Sequence, residues 1–355
     1  MTVKGWCPGA LTPMLAEDGL ILRIRPPEGR LTAAQTQGLA ALAQKHGQTR
    51  LALTSRANVQ MRGIAPARYD ALLQGLGALG LLDENEANEA ARNIVVTPFW
   101  QEGDGTLELA QALAAALPGF PRLPGKFGFA IDTGAELVLG NISADIRLER
   151  DAAGRLRLRA DGAAGGEAVT AATAIPRMKA MAEWFLAQGS QKRMRHLFPA
   201  AHRQPGFAPA PGPCAAGLLA AFAFGEIPAE TLAQLGDIRL TPWRMLLLPG
   251  GTALPALPGM ILDPADPMLR VFACTGAPNC AEGFAPVRDL AAALATHLPE
   301  GARLHVSGCG KGCAHPAPTD FTLIAGADGF TLSGTRAGLD PAALLRHPGR
   351  VFGTE

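Results

Sequence analysis

Four cysteines near the C-terminal end are the residues best suited to chemistry: Cys274, Cys280, Cys309 and Cys313. They form a C-x5-C pair and a C-x3-C pair with 28 residues between them. Glycines are interleaved at Gly276, Gly308, Gly310 and Gly312. Thiolates converging from two loops suit a soft-metal centre, and glycine lets backbone N–H groups approach its sulfurs. Structural zinc, disulfides and an iron–sulfur cluster all use such a set. Zinc usually draws its cysteines from tighter C-x2-C to C-x4-C pairs. Disulfides belong to oxidising compartments. An iron–sulfur cluster fits the wide spacing and the glycines best.

The second candidate constellation lies in LALTSRANVQMRG, residues 51–63. As one extended strand it puts Thr54, Arg56, Asn58, Gln60 and Arg62 on one face and Leu53, Ala57, Val59 and Met61 on the other. Such a polar face is either plain solvent exposure or a floor that grips a polyanion.

These residues need scaffolding. Gly19 to Arg25 reads as a strand with Leu22 and Ile24 inward, and with Arg23 and Arg25 outward as weaker anion contacts. Thr32 is placed to cap a helix carrying Leu39, Leu42 and Ala43, which Gly47 closes. Further helices are expected over 65–79, 106–117, 176–188 and 286–298, with Pro176 opening the third. Arg92 to Val96 begins a buried strand, and residues 136–160 read as a hairpin turning near Asp151. Residues 199–213 read as a linker. Beyond it the pattern restarts: Thr54 to Gly63 and Thr241 to Gly250 span the same number of positions, which marks a duplicated unit. Arg56, Asn58, Gln60 and Arg62 become Trp243, Met245, Leu247 and Pro249, so only one copy has a polar face. Arg244 has the opposite parity and is not the counterpart of Arg56.

The chain has 355 residues, 48 % of them hydrophobic, enough for roughly two or three domains with sizeable cores. No long uncharged apolar run suggests a membrane span, and MTVKGWCPGA has no apolar signal core, so a cytoplasmic, reducing setting is expected. A net charge of +1 gives no reason to expect a nucleic-acid or membrane partner. Arginine outnumbers lysine 26 to 6, as a GC-rich coding sequence would also produce, so only arginines with a defined place carry weight. Cys7 and Cys214, each ahead of a first strand, read as buried free thiols.

Taken together, the repeated unit, LTSRANVQMRG, Arg92-Asn93, LPGKFG and the two cysteine pairs resemble the siroheme sulfite and nitrite reductase superfamily. WCPGALTPM, DGLILRIRPPEGRLT, IRLTPWRMLLLPG and HVSGCGKGCAHPAPTD resemble, within it, the precorrin-3B synthase family. The resemblance implies an α+β fold with pseudo-twofold ferredoxin-like halves at 1–80 and 201–256. The matching nitrite/sulfite-reductase-type domains would be 81–200 and 257–355, the latter holding the cluster. It implies a 4Fe-4S cluster on Cys274, Cys280, Cys309 and Cys313, and a mononuclear non-haem iron for which His315 and Asp320 are candidate ligands. Siroheme enters only if the chain is a sulfite or nitrite reductase. The implied reaction is dioxygen-dependent hydroxylation of precorrin-3A at C20 with γ-lactone closure, fed by an external NADH-linked electron donor. Arg56 and Lys126 are then catalytic candidates, and Arg56, Asn58, Gln60, Arg62 and Arg92 bind the substrate's carboxylates. Only Lys126 remains of the three basic positions that sulfite reductases carry in the stretch matching LPGKFG, and that departure disfavours reduction of a small oxyanion.

Overall fold

The structure is a computed structural model that describes residues 8–189, 192–198, 200, 202, 207–251, 257–315, 317–332 and 336–353. Cys7 and much of the expected linker lie outside the described residues.

The chain is α+β, built from four sheets. Strands β1 (Met14–Ala16), β2 (Gly19–Ile24), β3 (Arg30–Leu31), β4 (Arg50–Leu53) and β5 (Val59–Ile64) come first, with helix α1 (Ala33–Lys45) between β3 and β4. Leu22, Ile24, Val59 and Met61 are buried, and Arg23 and Gln60 point to the other face, as period 2 requires. Thr32 caps α1 through a reciprocal pair: its hydroxyl accepts from the Gln35 amide and its own N–H donates to the Gln35 side chain. Helices α2 (Tyr69–Ala78) and α3 (Glu86–Ala91) follow.

A second sheet holds β6 (Ile94–Val96), β7 (Phe129–Asp132), β8 (Ile146–Arg150), β9 (Leu156–Ala160) and β10 (Glu167–Ala168), with α4 (Thr106–Ala116) between β6 and β7. The first three strands are parallel and the rest antiparallel. Helix α5 (Ala171–Ala187) starts before Pro176, because Thr170 and Thr173 form the cap; proline sits inside the helix rather than opening it.

The pattern then repeats. β11 (Gly212–Cys214), β12 (Gly217–Phe222), β13 (Glu226–Pro228), α6 (Ala229–Leu232), β14 (Ile238–Leu240), β15 (Met245–Pro249) and β16 (Met260–Ile261) make the second half. β17 (Val271–Ala273), α7 (Arg288–Ala295), β18 (Leu304–Ser307), β19 (Phe321–Gly326), β20 (Gly329–Leu332) and β21 (Arg336–Leu339) reproduce the parallel-then-antiparallel sheet, followed by α8 (Pro341–Arg346) and α9 (Gly349–Phe352).

The two halves exchange edges. β3 pairs with β14 of the second half, Leu31 opposite Ile238, while β13 pairs with β4 of the first, Ile227 opposite Leu51. Each five-stranded sheet is therefore completed by the other half, and one hydrophobic core runs through both, from Leu22 and Leu39 to Leu240 and Leu246. The two parallel-strand sheets keep cores of their own, around Phe127 and Phe185 and around Leu304 and Leu323. Among the described residues no helix is long and apolar enough to cross a membrane.

Residues 51–63 are not one strand. β4 ends at Leu53, the chain turns over 54–58, and β5 returns antiparallel with Ala52 opposite Gln60. The Thr54 hydroxyl accepts from the Arg56 and Asn58 amides, and Ala57 adopts φ +52°. Alternation stops at the turn, so Arg56 and Asn58 leave the face that Gln60 and Arg62 share.

Candidate active site

The cysteines emerge from the carboxyl ends of parallel strands, where α/β sheets form ligand crevices. β17 and β18 are neighbours in register, Ala273 beside Val306; Cys274 follows β17 directly and Cys309 follows β18 by two residues. Their loops touch. The Gly308 amide donates to Cys274 Sγ at 3.2 Å, and the Phe284 amide to the Gly308 carbonyl at 2.8 Å. A Cβ on Gly308 would stand 3.0 Å from Gly276 Cα, so contact of the two loops depends on glycine there. Lys311 and Glu282 add an ion pair of 3.1 Å between the loops.

All four cysteines line one cavity of about 1000 Å³. Partial burial first, and then the Cys309, Cys274 and Cys280 thiols, push the Cys313 thiol above its ordinary pKa. Among the described residues no three ligating groups converge as a single-ion site. Zinc at 2.3 Å from each sulfur would bring thiols to within about 4 Å of one another. A cluster with an iron at each corner spaces its thiolates more widely, and this arrangement matches that geometry better.

The opposite wall is the polar face of the first half. Arg23, Gln60 and Arg62 line it, with Arg23 Nη2 donating to Gln60 Oε1 at 3.4 Å. Arg62 does more than line the wall. It pairs with Asp18 at 2.6 Å and donates to Thr275 Oγ1 at 2.7 Å and to the Asn279 carbonyl at 2.5 Å. One guanidinium thus ties β5 to the loop between Cys274 and Cys280. Arg244, Arg288 and Lys311 also face this cavity, against Glu17 and Glu282, so its lining is basic.

The other candidates are placed elsewhere. Arg56 Nη2 donates to the Lys126 carbonyl at 3.0 Å, joining the hairpin turn to LPGKFG, and the Lys126 side chain is exposed. Asn58 and Arg92 line a separate cavity of about 210 Å³ with the buried Arg25. Arg92 pairs there with Asp83 at 2.6 Å and donates to the Arg25 carbonyl. Of the five expected substrate contacts, Gln60 and Arg62 are brought to the cysteines, while Arg56, Asn58 and Arg92 are not. Asp320 accepts from the Arg303 amide at 2.8 Å, and His315 stacks on Phe272 with ring centroids 4.0 Å apart. Burial lowers the pKa of His315 and, with His315 beside it, that of His305.

Sequence reasoning missed Arg244 and Arg288 as cavity residues. Arg244 was set aside by strand parity, but it sits in a turn, where parity has no meaning. The repeat itself was the available signal, because counting from Thr241 puts Arg244 level with Ala57.

The comparisons agree with this architecture. Residues 13–79 match the nitrite/sulfite reductase ferredoxin-like half domain. The precorrin-3B synthase of Sinorhizobium sp is 29% identical, with 96% of this chain and 85% of that protein covered. The ferredoxin–nitrite reductase of Synechococcus elongatus is 25% identical over 85% of this chain and 75% of its own. The Mycobacterium tuberculosis NirA protein shares the fold, with a TM-score of 0.59 and 18% identity, covering 86% of this chain and 70% of that one. The chain is therefore a relative of the nitrite and sulfite reductases, and along nearly its whole length it is similar to precorrin-3B synthase.

Proposed function

We propose that the protein converts precorrin-3A to precorrin-3B, by dioxygen-dependent hydroxylation at C20 and closure of an acetate arm as a γ-lactone. The observation that carries this is the shared cavity: four thiols on one wall and Arg23, Gln60 and Arg62 on the other, within about 1000 Å³. Similarity to precorrin-3B synthase over 96% of the chain supports it.

Cys274, Cys280, Cys309 and Cys313 would hold a 4Fe-4S cluster, which supplies one-electron transfer when bound. The chain's own residues do the positioning. Guanidinium and amide groups on one strand face fit carboxylates at fixed separations, and holding the macrocycle still is a large part of the rate gain. Arg62, committed to Asp18 and the cysteine loop, sets the distance between that face and the thiols. Gly308 N–H stabilises a thiolate at Cys274. Arg56 and Lys126 shape the rim.

A siroheme-dependent sulfite or nitrite reductase is the second reading, favoured by the half-domain match and the nitrite reductase relative. The pairing of Arg92 with Asp83 leaves less positive charge for a small oxyanion, which supports the first reading.

The test is direct. Purified without oxygen, the protein is given precorrin-3A, a reductant and dioxygen. The expected product gains one oxygen atom and a lactone. No mass gain, together with a strong Soret band from co-purified siroheme, would transfer the assignment to the second reading.

A further inference from the structure

The two hairpins of the duplicated halves match in backbone and differ in one side chain. Thr54 and Thr241 hold them alike: the Thr241 hydroxyl accepts from the Trp243 and Met245 amides, as Thr54 does from Arg56 and Asn58. The residue three places on is left-handed in both, Ala57 at φ +52° and Arg244 at φ +59°. That conformation costs a residue with a Cβ about 1 kcal/mol. Ala57 is buried, whereas Arg244 projects from its turn. Gly225 makes room for it, since a Cβ there would lie 2.9 Å from the Arg244 Cβ.

Arg244 lines two cavities at once, the 1000 Å³ cavity of the cysteines and a neighbouring one of about 600 Å³ walled by Phe222, Met245 and Leu269. It makes no hydrogen bond or ion pair with any described residue. The group is open to solvent through the cavities yet ringed by protein, and the lost hydration lowers its pKa. A guanidinium with five unused donors in a half-dehydrated site is best satisfied by a carboxylate.

We infer that Arg244 binds a carboxylate arm of the tetrapyrrole where the two cavities meet, an inference that rests on the tetrapyrrole reading above. The ring edge beside that arm would lie against the apolar walls of the smaller cavity.

Precorrin-3A binding is measured under argon by quenching of protein fluorescence, for the native chain and for Arg244→Ala, Arg244→Lys and Arg244→Gly. Arg244→Ala should raise Kd about ten-fold, equivalent to about 1.4 kcal/mol. Lysine should recover part of the loss. Arg244→Gly relieves the left-handed backbone, so it should unfold no more easily than the native chain while losing the same affinity. A purely structural arginine would make affinity follow stability across the three. If the native chain binds and all variants bind within about two-fold of it, the inference is overturned and the tetrapyrrole reading stands. If the native chain does not bind precorrin-3A, that reading falls and siroheme, another polycarboxylate, becomes the probe. Weaker siroheme binding by Arg244→Ala then upholds the inference; equal binding, or none by the native chain, overturns it.

Discussion

Arg62 Nη1 and Thr275 Oγ1 lie 2.7 Å apart, although 213 residues separate them in the chain. This contact joins the polar strand face of the first half to the loop that begins with Cys274. Charge-assisted bonds of this kind are worth about 1.5–3 kcal/mol each, and removing one partner strands the other. Arg62→Ala should lower iron and sulfide content in the purified protein and lower thermal stability by about 2–3 kcal/mol. Retention of full metal content would show that the cysteine loops hold themselves.

Arg56 acts on a different contact. Its bond to the Lys126 carbonyl joins the hairpin turn to LPGKFG, away from the cysteines. Arg56→Ala is expected to weaken precorrin-3A binding by about ten-fold, as for loss of a charge-assisted contact, while leaving iron content unchanged. Unchanged affinity would reduce Arg56 to a surface brace.

Cys309 lies at the meeting point of the loops, with Ser307 Oγ donating to its carbonyl at 2.7 Å. Serine preserves that backbone contact and removes the soft ligand. Cys309→Ser should therefore abolish the cluster signal in EPR of the reduced protein. A native-like signal would take this cysteine out of the ligand set.

Thr241 organises the second hairpin from a buried position, 1% exposed, with its hydroxyl donating to the Met245 carbonyl and accepting two amides. Thr241→Val keeps the shape and leaves those groups unpaired, at a cost of about 2–3 kcal/mol. Chemical denaturation should show the loss with an unchanged m-value. Thr54→Val, in a less buried turn, should cost less.

Asp132 gives a pH signature. It is 1% exposed; burial raises its pKa to about 6, outweighing the Leu139 and Val138 amides that donate to it at 2.7 and 2.9 Å. The unfolded chain releases this proton near the ordinary value of 3.8. Between about pH 4 and 6 the folded state keeps a proton that the unfolded state has lost, so stability from this group falls as pH rises. The drop amounts to about 3 kcal/mol and is complete above pH 6. Asp132→Asn should flatten that part of the stability profile and raise stability at pH 7. A profile identical to native would mean that Asp132 stays ionised throughout.

Much of the architecture was legible in the residues alone. Alternation in GLILRIR, the Thr32 cap and the Thr54/Thr241 repeat each depend on interactions a few residues apart, which sequence spacing encodes directly. The C-x5-C and C-x3-C pairs likewise announced two loops able to serve one centre, because little but a shared soft ligand needs thiols and glycines so interleaved. Tertiary structure decided the rest. A single positive φ at Ala57 turned a supposed strand into a hairpin and divided Arg56 and Asn58 from Gln60 and Arg62. The exchange of β3 and β13 between the halves, and the reach of Arg62 to Thr275, join positions about 200 residues apart. No local pattern specifies such pairings; they follow from which surfaces exclude water together once the duplicated halves close on each other.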